Sequence, residues 1–213
     1  MNSDPGSTER RIGAALHEWA ALDEKAWRAC ADLARPQRKV AGIEDLLDAS
    51  PVTTDTLRSD RVDLDIVRIL SAAVEACQPL MLNNGVLFSA NLPRSAVWVR
   101  GDGARLSQIV HTLLANAAQY TPRGGKVEFI ATAISKAVMI RVCDNGIGIS
   151  SAMLANVFEP HVQDVSAVRF DGTGLGVGLT VVRELVEAHG GTVVGTSAGE
   201  GRGSMFTVAL PTL

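Results

Sequence analysis

The sequence predicts an α/β fold: a two-layer sandwich with helices on one face of a mixed sheet, preceded by an N-terminal helical segment. Three observations predict it. From about residue 61 onward, stretches with helical and strand periodicity alternate along the chain. Within them, Leu106, Ile109, Val110, Leu113, Leu114 and Ala117 fall on one side of a helix and form a nearly continuous apolar face. Finally, 46% of the 213 residues are hydrophobic and 20% charged, an ordinary globular balance that excludes wholesale disorder.

Residues 1–6 are small and polar and read as a leader. Residues 7–34 are rich in Ala, Glu, Lys, Arg and Leu, with Ser7 and Thr8 able to cap a helix start. Leu16, Trp19, Trp27, Cys30 and Leu33 then form one stripe. Pro36 breaks this helix, a second runs to residue 49, and 50–55 is a loop. A hairpin of this size within residues 7–60 has too little core to stand alone, so it requires the rest of the chain or a second copy. Next come a helix over 64–81, strands over 86–92 and 97–99, and the helix over 102–120. Residues 121–125 (Thr-Pro-Arg-Gly-Gly) end that helix. Strands over 126–133 and 137–143 form a hairpin. A helix over 177–189 carries Val181, Val182, Leu185 and Val186 as its stripe, and strands over 192–197 and 204–210 flank the loop 198–203.

Composition excludes several partners. A net charge of −3 gives no electrostatic reason to expect nucleic acid or an anionic membrane surface. Only 4% of residues are aromatic, too few for a base-stacking platform. Cys30, Cys77 and Cys143 are odd in number and show no C-x-x-C spacing, which argues against zinc sites and disulfides and for a reducing, cytoplasmic setting. No apolar run reaches the roughly 18 residues that span a bilayer, so membrane contact is expected only through segments beyond this sequence.

Three polar features carry the chemistry. Gln108, Thr112, Asn116 and Gln119 line one flank of the 102–120 helix; alone, they read as a solvated face. Asp144-Asn145-Gly146-Ile147-Gly148-Ile149 follows a hydrophobic strand. It reads as a turn, or as a strand-end acid beside backbone that glycine lets approach a flat ligand. Gly172-Thr173-Gly174-Leu175-Gly176-Val177-Gly178 runs straight into a helix, and free amides at a helix start suit phosphate. It matches neither G-x-x-x-x-G-K-[ST] nor G-x-G-x-x-G.

Their order resembles a known family. "LLANAAQYTPRGG" around Asn116, "DNGIGI" from Asp144, "VFEP" over 157–160, "GTGLGVGL" from Gly172 and "GRGSMFTVALP" from Gly201 resemble the N, G1, F, G2 and last-strand boxes of bacterial sensor histidine kinases. These belong to the wider GHKL class that includes gyrase, MutL and Hsp-type chaperones. The resemblance covers roughly residues 61–213 and implies a Bergerat-type ATP-binding domain, with ATP and Mg2+ as cofactors. It implies that Asp144 accepts a hydrogen bond from the adenine amino group, with Gly146, Gly148 and Ile149 around the ring. Asn116 would hold magnesium, with Gln119 and Tyr120 beside it, and Ser204 would stand beside Asp144. Gly172, Thr173, Gly174, Leu175 and Gly176 would receive the phosphate tail. A lid over 159–171 would dock through Phe158 and offer Arg169 to phosphate. A response-regulator receiver domain is the implied partner, and residues 7–60 the implied homodimerisation hairpin.

The sequence also departs from the pattern. Thr112 replaces the first Asn of the N box, Gln119 its usual Lys, His161 the second aromatic of the F box, and Asp171 a glycine before the G2 box. His17, in His17-Glu18, is the candidate phosphoacceptor, yet the Arg-x-Pro that follows it in the family is absent. Two other readings therefore stay open: a nucleotide-binding scaffold without phosphotransfer, and a GHKL ATPase.

Overall fold

The computed structural model describes residues 61–160 and 177–213. His17 and the whole 7–60 segment lie outside the described residues, as do His161, Arg169, Asp171 and Gly172, Thr173, Gly174, Leu175 and Gly176.

The chain enters on strand β1 (Val62–Asp65) and helix α1 (Ile66–Asn84). Strands β2 (Leu87–Asn91) and β3 (Trp98–Gly101) follow, then helix α2 (Gly103–Tyr120). Strands β4 (Lys126–Ile134) and β5 (Ala137–Asp144) form a hairpin. A short helix α3 (Ser151–Leu154) precedes α4 (Gly178–Ala188), β6 (Thr192–Thr196) and β7 (Ser204–Pro211).

Five strands form one mixed sheet in the order β2-β4-β5-β7-β6, in which only β2 and β4 run parallel. α1 packs on α2 and α2 on α4. Their stripes meet the sheet through Val127, Phe129, Val138, Ile140, Val142, Phe206, Val208 and Leu210, all in one buried cluster. The expected two-layer α/β sandwich is therefore the observed one. Two local expectations are corrected. Residues 62–65 form a strand, paired antiparallel with β3, so Leu64 is not helical. The helix begins instead at Ile66, capped by the Asp65 carboxylate, which accepts from Val67 N at 3.1 Å. It also ends later than expected, at Asn84, where Gly85 turns left-handed at φ 66° and Val86 N donates to Met81 O.

α2 starts on a doubly satisfied cap: Asp102 Oδ1 accepts from Ala104 N at 2.8 Å and Arg105 N at 3.2 Å. The buried His189 ties the far end of α4 to the same point. Its Nδ1 donates to Leu185 O at 2.7 Å and its Nε2 accepts from Asp102 N at 3.1 Å, a pairing that fixes the neutral tautomer. The flank of α2 is thereby held in register against α4.

Candidate functional site

β5 is buried along its whole length and ends on Asp144, a carboxylate only 7% exposed. The register places Asp144 opposite Ser204, the first residue of β7. Asp144 Oδ1 accepts from Gly146 N at 2.8 Å and Ser204 N at 3.3 Å, and Oδ2 accepts from Ser204 Oγ at 2.5 Å. Burial pushes the carboxyl up to about 6, although these hydrogen bonds pull the other way. An ionised carboxylate has about four acceptor positions. The three donors leave one of them, on Oδ2, for a ligand N–H.

The turn after Asp144 packs against the end of α2. Ile147 N donates to Tyr120 O at 3.0 Å, and a Cβ at Gly146 would lie 2.2 Å from that same oxygen. Gly148 has φ 69°, and a Cβ there would lie 2.1 Å from Gly199 O. The space a side chain would take at these glycines is thus filled by the chain's own backbone. Asn145, absent from the candidates above, braces the turn by accepting from Lys126 N at 2.7 Å through Oδ1 and donating its own N–H to Lys126 O.

Asn116 lies half-buried on α2, one helical turn (about 6 Å along the axis) before Tyr120; Gln119 is half-buried between them. On the same flank, Thr112 Cγ2 would be 3.2 Å from a Cβ at Gly178, the first residue of α4. Val177, which precedes it, makes no side-chain cap bond to the first amides of α4 among the described residues. Thr112 of the N box and Gly178 of the G2 box therefore meet at the start of α4.

Phe158 stacks edge-on against Phe206, with ring centroids 6.1 Å apart. Gly195 makes room beside Phe206 and Val157: a Cβ there would lie 2.9 Å from Phe206 Cε1 and 3.6 Å from Val157 Cγ1. Glu159 pairs with Arg183 of α4 at 3.0 Å. These contacts fix the stem from which residues 161–176 depart.

The arrangement suits a neutral, flat donor followed by an anion. Among the described residues, burial and the hydrogen bonds from Ser204 and Gly146 account for the shift of Asp144 and no cation enters it, so a neutral N–H matches its one open acceptor position. Among the described residues no group of three or more His, Cys, Asp or Glu is placed to hold a metal. No described helix is long and apolar enough to cross a membrane.

Comparison with known proteins agrees. The profile of the histidine kinase-, DNA gyrase B- and HSP90-like ATPases matches residues 101–213. Histidine protein kinase DivJ of Caulobacter vibrioides is 35% identical over 172 residues, 80% of this chain and 28% of that protein. The solved structure of full-length ShkA in complex with AMPPNP is 28% identical, covers 72% of this chain and 31% of that one, and superposes with a TM-score of 0.59. The mycobacterial sensor histidine kinase MprB shares the fold, with a TM-score of 0.61 at 24% identity over 71% of this chain and 97% of that one. The chain spans less than a third of the length of the curated relatives it matches. With five boxes in order, a buried acid at the end of β5 and this family match, the chain belongs to the histidine kinase-, DNA gyrase B- and HSP90-like ATPases, as an ATP-binding domain of the bacterial sensor histidine kinase type.

Proposed function

We propose that this domain binds Mg-ATP and directs its γ-phosphoryl group to a histidine, from which it passes to an aspartate of a response-regulator receiver domain. The observation that carries the reading is the buried Asp144 carboxylate with one acceptor position left open. That position takes the adenine amino group. Asn116 holds the magnesium ion, with Gln119 and Tyr120 at the same helix end, and Phe158 anchors the lid stem. Gly172, Thr173, Gly174, Leu175 and Gly176 lead into the start of α4 and, with its first amides, receive the phosphates, Arg169 adding charge. The bound magnesium supplies electrostatic stabilisation of the transferring group; the protein's own contribution is positioning. The complex of ShkA with AMPPNP supports the choice of nucleotide. His17 is the acceptor proposed within this chain, residues 7–60 the dimerising hairpin, and the cytoplasm the setting.

A second reading, a nucleotide-binding scaffold without phosphotransfer, is favoured by one observation: the Thr112 methyl packs against Gly178, so this flank position serves helix packing rather than metal. Incubation with ATP labelled on the γ-phosphate separates the two. Acid-labile, base-stable label on the protein, lost in His17→Gln, is the result expected of the kinase. Nucleotide binding without any label supports the scaffold. Light scattering tests the hairpin: the intact chain is expected to run as a dimer.

A further inference from the structure

We propose that Ser197, through one hydroxyl, is a positioning residue for the nucleotide pocket. It lies just beyond β6, where the sequence alone suggests only the end of a strand. Its Oγ accepts from Ile149 N at 3.0 Å and from Gly199 N at 3.2 Å, and donates to Gly203 O at 2.6 Å. A hydroxyl has one proton and two acceptor positions, so all three are used. The same oxygen thus joins the turn 146–149 to both ends of the loop 199–203.

Two backbone bonds continue the join: Gly201 N donates to Ile147 O at 2.6 Å and Gly203 N to Gly146 O at 3.1 Å. Gly203 is followed directly by Ser204, which supplies two of the three donors to Asp144. The path from Ser197 to the carboxylate is therefore short: one hydrogen bond to Gly203, the peptide bond to Ser204, and the two hydrogen bonds Ser204 gives to Asp144. Inside the loop, Arg202 N donates to Gly199 O at 3.1 Å. Gly199, Gly201 and Gly203 all have φ between 70° and 111°, and glycines carry no apolar surface to offset their chain entropy. Gly203 also lies so close beneath Asp144 that a Cβ would come within 2.0 Å of Asp144 O. Freeing the loop would move the residue on which the carboxylate rests.

The inference rests on the reading that Asp144 receives the purine, and its test separates the two. Amide hydrogen exchange is measured without nucleotide on the full chain and on Ser197→Ala, followed by ADP titration of both. Ser197→Ala is expected to speed exchange at Ile149, Gly199 and Gly203 by about tenfold or more while the central amides of β5 keep the parent rate. ADP affinity is expected to fall about tenfold. Ser197→Thr, which keeps the hydroxyl, restores both; a merely steric role would not be rescued. Ser197→Cys, with longer and weaker bonds, shows the same changes at smaller size if the alanine form does not fold. Unchanged exchange at Ile149 and Gly203 overturns the inference, as does faster exchange with parental ADP affinity. A parent chain that binds no ADP overturns the purine reading, and with it the claim that Ser197 serves a nucleotide pocket.

Discussion

Burial pushes the Asp144 carboxyl from its ordinary 3.8 up to about 6, and two opposite consequences follow. In the fold, the neutral acid is favoured, so this group's contribution to stability is complete below pH 4 and is lost as pH rises through 6. Asp144→Asn, neutral throughout and able to accept from Ser204, should therefore melt higher than the parent at pH 7.5, with the gap closing toward pH 5. Ligand affinity should move the other way. The open acceptor is strongest when ionised, so ADP should bind more tightly as pH rises from 5 to 7 and level off above. Calorimetry across that range checks the midpoint; a flat profile would contradict the assignment. The acid at the strand end is legible in the sequence because a hydrophobic run stops on it before two glycines. Ser197 and Asn145 are not, because their partners, Gly203 and Lys126, are identified only once the loops meet.

Between elements, the site depends on how α2 and α4 are held. Removing the α2 cap in Asp102→Ala leaves two amides without their acceptor and should cost about 1 kcal/mol in urea unfolding. His189 acts at the same junction. Burial holds its imidazole below the usual 6.5, the Arg61 charge lowers it further, and the Leu185 carbonyl and Asp102 raise it. Because the unfolded ring gains a proton first, His189 lowers stability as pH falls below 6.5 and leaves it whole above. His189→Gln, which never charges, should lose less stability than the parent between pH 7 and 5. At the other end, truncating Phe158 to Ala removes the edge-on contact with Phe206 and should cost about 2 kcal/mol. The helices were legible because their stripes are regular, and so was the β4–β5 hairpin. β1 was not: it is four residues long and its partner β3 lies 36 residues further on, so local pattern assigned Leu64 to the helix that follows.

Across the molecule, the order of the boxes specified the family where no single box did, while the sheet order and the parallel β2–β4 pair came only with the structure, since neither has a local signature. The departures at Thr112 and Gln119 gain partial meaning: Thr112 is a packing residue at the start of α4. The proposed activity depends on a nucleotide whose purine is read by Asp144. The measurement that tests this most directly is isothermal calorimetry of ADP with magnesium against the full chain and its Asp144→Asn variant at pH 7.5. Losing a buried charge-assisted bond should cost about 1.5–3 kcal/mol, or roughly one to two decades of affinity. Saturable one-site binding by the parent, weakened to that extent in the variant, is the predicted result; equal affinity in the two, or no binding by the parent, would contradict it.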